Sequence, residues 1–152
     1  MYDLVSDDIS AKTWVLLNQA ADAAYRATSK RLRSVGVSFE QARVLFILDA
    51  SSSPPTRIEI SRILMRKPHT VTDLLNGMQR AGLIRRIKDE GNHKLVRVVM
   101  TKKGREMRKR VSLAPMPIEL TSFLSSWELH QLNSMLEKIR DVALEHLETE
   151  PP

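Results

Sequence analysis

Apolar residues recur at intervals of three and four over most of this chain, a spacing that gathers them on one face of a helix. Over 9–35 they are Ile9, Val15, Leu16, Ala20, Ala23, Ala24, Ala27 and Leu32, with no Pro or Gly until Gly36. This predicts one long, Ala-rich helix. Ser38 and Gln41 have capping-box spacing, in which hydroxyl and amide each satisfy a backbone N–H left open at a helix start. A second helix is expected through Leu45, Phe46 and Leu48. Ser51-Ser52-Ser53-Pro54-Pro55 stops it, because Ser competes for backbone hydrogen bonds and Pro excludes continued helix. Thr56 and Glu59 repeat the capping-box spacing and open a third helix with Ile60, Ile63 and Leu64 on its inner face. Pro68 suits the first turn of another helix and biases Lys67 toward extended geometry, which puts a turn around Arg66 and Lys67. The fourth helix is expected over 69–81, with Val71, Leu74, Leu75 and Met78 as core and Gly82 closing it in a left-handed conformation.

After Gly82 the period changes. Residues 83–88 and 95–100 are short runs rich in β-branched side chains, separated by Asp89-Glu90-Gly91-Asn92-His93-Lys94. They read as a hairpin with a polar tip, which must pack on the helices because two strands alone are marginal. Thr101 starts a basic helix through Arg110, interrupted by Pro115 and Pro117. Ser125 with Glu128 supplies a further capping box, and Leu129, Leu132, Leu136, Ile139, Ala143 and Leu147 step along the last helix.

Charge sharpens this outline. The 152 residues carry a net +6, yet residues 57–110 hold sixteen bases and five acids, while 1–56 balance six against six and 111–152 hold two bases and seven acids. A basic block of +11 between a neutral and an acidic end is the footprint expected of a surface for a polyanion; a solvated Lys/Arg face is the alternative. The absence of cysteine excludes disulfides, thiolate metal sites and thiol redox chemistry. No apolar run approaches the ~20 residues of a membrane span, so no membrane association and a cytoplasmic location are expected. Glycine occurs only at 36, 77, 82, 91 and 104, so no phosphate loop, dinucleotide fingerprint or nucleophile elbow can be written. No enzyme and no cofactor is expected. His69, His93, His130 and His146 lack metal-site spacing, which leaves only a zinc site assembled from His130, His146 and Glu residues as an alternative to exposed histidines.

The helix, turn, helix and hairpin at 56–100 resemble a winged helix-turn-helix, and the order of elements over the chain resembles the MarR family of bacterial transcription regulators. The resemblance is carried by Ala81-Gly82-Leu83-Ile84-Arg85-Arg86, by Asp89 opening the wing, and by Val99-Met100-Thr101-Lys102-Lys103-Gly104, where the family reads hydrophobic-Leu-Thr-x-Lys-Gly. At the wing tip, Asn92, His93 and Lys94 stand where members often carry Asp and paired arginines. The fold expected is mainly α with a small β-hairpin wing: a winged helix-turn-helix region at 38–110 between dimerisation helices at 1–37 and 111–152, in one compact domain. The resemblance implies a homodimer, a double-stranded DNA operator, and a repressor whose affinity changes with a small aromatic or lipophilic effector. No ligand residue is assigned, although Trp14, Tyr25 and Phe46 could border a pocket or simply be core. A winged-helix protein-interaction module and a metal-responsive regulator are the alternatives.

Physical reasoning names the same contacts. A helix in the major groove must show short polar side chains near its N-terminus, where N–H groups and the dipole also favour phosphate. The outward positions of the fourth helix are Lys67, His69, Thr70, Thr72, Asp73 and Asn76; Asn can pair bidentately with adenine, and Asp can accept from cytosine. Arg57, Arg62, Arg66 and Arg80 are placed to meet phosphates, which sets register without reading sequence. Asn92, His93 and Lys94 would enter the neighbouring minor groove. Leu129, Leu132, Leu136 and Ile139 are the expected dimerisation residues.

Overall fold

The computed structural model describes residues 8–113 and 121–149. The chain divides into two compact units, Met1–Pro115 and Met116–Pro152. Pro115 and Pro117, expected to interrupt a helix, lie outside the described residues.

In the first unit α1 (Ile9–Ser34) is capped by the Asp8 carboxylate, which accepts from the Ser10 and Ala11 N–H groups. It ends in a Schellman turn: Gly36 takes φ +89°, its N–H donates to the Arg33 carbonyl, and the Val37 N–H donates back to Leu32. Leu32 and Val37 are both buried, supplying the apolar contact that accompanies such a turn. Then come α2 (Phe39–Ala50) and α3 (Arg57–Leu64), each opened by the capping box read from the sequence, Ser38 with Gln41 and Thr56 with Glu59. Next are α4 (Pro68–Arg80), with Pro68 in its first turn, β1 (Ile84–Lys88), β2 (Val96–Met100) and α5 (Lys102–Leu113). A second Schellman turn closes α4, with Gly82 at φ +73° and the Leu83 N–H donating to the Met78 carbonyl.

The core of this unit gathers Val44, Leu45 and Ile47 of α2, Ile60 and Leu64 of α3, Val71, Leu75 and Met78 of α4, and Leu83, Ile84 and Val98 from the hairpin. Three expected core positions differ. Ile63 is 55% exposed and Ser61 takes its place inside, because the buried stripe of α3 runs through positions 60, 61 and 64. Phe46 lies on the outer side of α2 at 59% exposure, where the Arg108 guanidinium covers its ring at 5.4 Å. Leu74 is half-buried at the edge of the core.

The strands pair antiparallel from Ile84↔Met100 to Lys88↔Val96, one residue shorter at each start than expected. The Ser-Pro stretch is more than a breaker. Thr56 bridges Arg97, the Val98 N–H donates to the Pro55 carbonyl, and the Arg97 guanidinium donates to the Pro54 carbonyl at 2.7 Å. This short third lane ties the start of α3 to β2 and so supports the hairpin. Behind it, Thr101 Oγ1 donates to the Gly82 carbonyl and accepts from the Gly104 N–H, pinning the start of α5 to the end of α4.

The second unit contains α6 (Ser126–Thr149). The Ser125–Glu128 pair caps it: Glu128 accepts from the Ser125 N–H and hydroxyl at 2.7 Å, and the Glu128 N–H returns to Ser125 Oγ.

Candidate nucleic-acid interface

Helix α4 buries Val71, Leu75 and Met78 completely, so its helical period turns His69, Asp73, Asn76 and Arg80 away from the core. Lys67, His69, Thr70, Asp73 and Arg80 are exposed and make no side-chain hydrogen bond or ion pair among the described residues. They are the uncommitted polar groups of this face.

Thr72 and Asn76 sit on the edge facing the hairpin, and both are engaged. Thr72 Oγ1 donates to the Pro68 carbonyl at 2.9 Å and accepts from Arg57 at 3.3 Å. Arg57 also donates to the Pro68 carbonyl at 3.2 Å. It thus clasps the first turn of α4 from the first turn of α3. Asn76 Oδ1 accepts from Arg86 of β1 at 2.8 Å, and Gln79 Oε1 accepts from the same guanidinium at 2.6 Å. Between α4 and the hairpin lies an open groove of about 840 Å³, lined by Arg57, Pro68, His69, Thr72, Asp73, Arg86, Val96 and Val98.

The other expected phosphate residues divide. Arg62 and Arg80 are exposed, and their side chains make no hydrogen bond or ion pair among the described residues. Arg66 reaches Glu40 at 3.3 Å, and Glu40 also holds Arg43, which donates to the Leu64 carbonyl at the end of α3.

The wing is shaped by two short polar side chains. Asp89 accepts from the N–H groups of Gly91 and Asn92, and Asn92 Oδ1 accepts from the Lys94 N–H at 3.1 Å. Asp89 is also paired with Arg97. That side-chain hydrogen bond, followed by the Asn92 N–H, holds the Asp89 carboxyl below its usual range. Asn92 therefore builds the turn, and His93 and Lys94 are the exposed side chains beyond it.

Sequence reasoning did not foresee that Arg86 would reach Asn76 and Gln79. A signal existed: in a strand, alternate residues share a face, and Arg86 stands two after the buried Ile84. It therefore lies on the face that meets α4, where a long stem can follow apolar surface while the head reaches polar partners. Among the described residues no group of three or more His, Asp or Glu could hold a metal ion, and no helix is long and apolar enough to cross a membrane.

On α6, Leu129 is half-buried, and Leu132, Leu136 and Ile139 remain about 40% exposed. Trp127, Met135, Val142 and Leu147 are more exposed still. In the first unit Trp14, Leu16 and Tyr25 of α1 are at least half exposed, so Trp14 is no core residue, while Tyr25 meets Phe39 edge to face at 4.9 Å.

Three helices, a tight turn and a hairpin in this arrangement define a winged-helix protein. Residues 35–94 match the model of the MarR family, and the fold is similar to that of solved MarR family regulators. AbsC, a MarR family transcriptional regulator from Streptomyces coelicolor, superposes with a TM-score of 0.79 at 19% identity, over 98% of this chain and 100% of its own. S. aureus MepR, solved as a DNA complex, gives 0.74 at 22% identity over 84% and 94%. CouR from Rhodococcus jostii RHA1, solved with p-coumaroyl-CoA, gives 0.73 at 17% identity over 93% and 96%. No curated protein matches the sequence.

Proposed function

We propose that this protein is a sequence-specific double-stranded DNA-binding transcription regulator, acting by binding rather than catalysis. The observation that carries the reading is the outward face of α4: a row of uncommitted polar side chains inside a segment of net charge +11, flanked by exposed cations on α3, α4 and the wing. His69, Asp73 and Asn76 read base edges, with Lys67, Thr70 and Thr72 beside them. Arg57, Arg62, Arg66 and Arg80 position the domain on phosphates. His93 and Lys94 reach the neighbouring minor groove, on a turn built by Asn92.

Two copies are needed to read two half-sites one helical turn apart, ~34–36 Å. The exposed apolar side chains of α1 and α6 supply surface for that pairing, with Leu129, Leu132, Leu136 and Ile139 in the interface. A repressor relieved by a small aromatic or lipophilic effector is the mode of control we infer. The p-coumaroyl-CoA in CouR and the 2,4-dichlorophenol in RdhR, which superposes with a TM-score of 0.74 at 20% identity, support it by analogy. Such a regulator works in the cytoplasm.

The test is duplex affinity measured against salt. With about four phosphates neutralised per subunit, log affinity should fall with log salt at a slope on the order of −7 for the dimer. A slope near zero would reduce the basic block to solvated surface and favour a protein-interaction module.

A further inference from the structure

We infer that Arg86 is a specificity-determining residue: from the wing strand it fixes which end of the Asn76 and Gln79 amides α4 presents to DNA. The inference rests on the DNA-binding reading above and deepens it.

The geometry is that of one fork and two acceptors. Arg86 Nη2 donates to Asn76 Oδ1 at 2.8 Å, and Nη1 donates to Gln79 Oε1 at 2.6 Å. Asn76 and Gln79 are three residues apart on α4, hence neighbours along one edge. A guanidinium carries donors only, so both amides must turn their oxygens toward the hairpin. Each then points its NH2 group the other way. Because β1 is held by its pairing with β2 and Ile84 is buried in the core, the strand that carries the guanidinium is fixed relative to α4.

This changes what Asn76 can read. A free Asn amide pairs bidentately with adenine by accepting from N6–H2 while donating to N7. With its oxygen turned toward Arg86, Asn76 directs its NH2 donors away from the hairpin. Guanine shows two acceptors side by side in the major groove, O6 and N7, and is the base such a group meets best. Lysine cannot replace the fork, since its ammonium is a point charge without the planar pair of donors.

The experiment is selection from random duplexes with the unaltered protein, Arg86→Ala, Arg86→Lys and Asn76→Ala, each first shown folded by its thermal transition. The unaltered protein should prefer guanine at one symmetric pair of positions, a preference that Asn76→Ala abolishes. Arg86→Ala and Arg86→Lys should both shift that pair toward adenine, by about tenfold in relative affinity, and leave unchanged every position outside those faced by Asn76 and Gln79. In an Asn76→Ala background, Arg86→Ala should produce no further change there. Arg86 variants that weaken binding equally for all sequences, with the consensus intact, would show that Arg86 meets phosphate and would overturn the inference. Failure of the unaltered protein to enrich any sequence would instead sink the DNA-binding reading on which the inference stands.

Discussion

Met65 holds φ at +53° and ψ at 46° just after α3, a left-handed conformation that glycine enters freely and a side chain resists. The Met65 N–H donates to the Arg62 carbonyl and the Arg66 N–H to Ser61, so the turn between α3 and α4 is a Schellman turn with Met where Gly is usual. Met65→Gly should raise the denaturation midpoint, by about 1 kcal/mol in stability; a lowered midpoint would show that the Met65 side chain stabilises this turn by more than the strain costs. Gly104 is the opposite case. A Cβ there would stand 2.0 Å from the Leu83 carbonyl oxygen, which also accepts from the Thr101 N–H. Gly104→Ala should destabilise by on the order of 3 kcal/mol, and an unchanged thermal transition would contradict this packing. Gly104 was legible in the sequence only as part of a family motif. Met65 carried no signal at all: its apolar side chain suggests nothing left-handed, and the turn was expected one or two residues later, at Arg66 and Lys67.

Elements were more legible than their partners. Ser38/Gln41, Thr56/Glu59 and Ser125/Glu128 were readable as helix starts because capping is a local interaction between residues three apart, and all three boxes form. The pairing of Pro54–Thr56 with β2 depends on residues far apart in sequence and was not legible; for Arg86 the strand period gives the face toward α4, but not its partners Asn76 and Gln79. Two of the boxes use a carboxylate. Hydrogen bonds first from the Thr56 N–H and then from its hydroxyl hold Glu59 below the usual carboxylate range; those from Ser125 do the same for Glu128, and Arg97 does so for Asp89. Each group binds a proton less readily folded than unfolded, so its contribution is complete above the ordinary values of 4.5 for Glu and 3.8 for Asp and is lost as pH falls through the depressed folded values. Thermal melts from pH 6 downward should therefore show stability falling below about pH 5. Glu59→Gln should flatten part of that fall while keeping the box, since Gln41 performs the same role in α2. An acid profile unchanged in Glu59→Gln would show that the Glu59 carboxylate does not contribute.

At the scale of the whole molecule, reading two half-sites takes two copies. Changing Leu132 and Ile139 together to Glu should convert a dimer to monomer in sedimentation, because uncompensated charge buried in an interface costs several kcal/mol; an unaltered protein that is monomeric at micromolar concentration would contradict the pairing. The division of charge, +11 over 57–110 against −5 over 111–152, keeps cations where DNA is expected and acids elsewhere. The central claim is that α4 of each copy reads one half of a DNA site, and selection of bound sequences from random duplexes by the unaltered protein tests it most directly. The expected result is an inverted repeat whose half-sites are centred about one helical turn, ~10–10.5 base pairs, apart. Recovery of unenriched sequences, or of a consensus without two-fold symmetry, would contradict it.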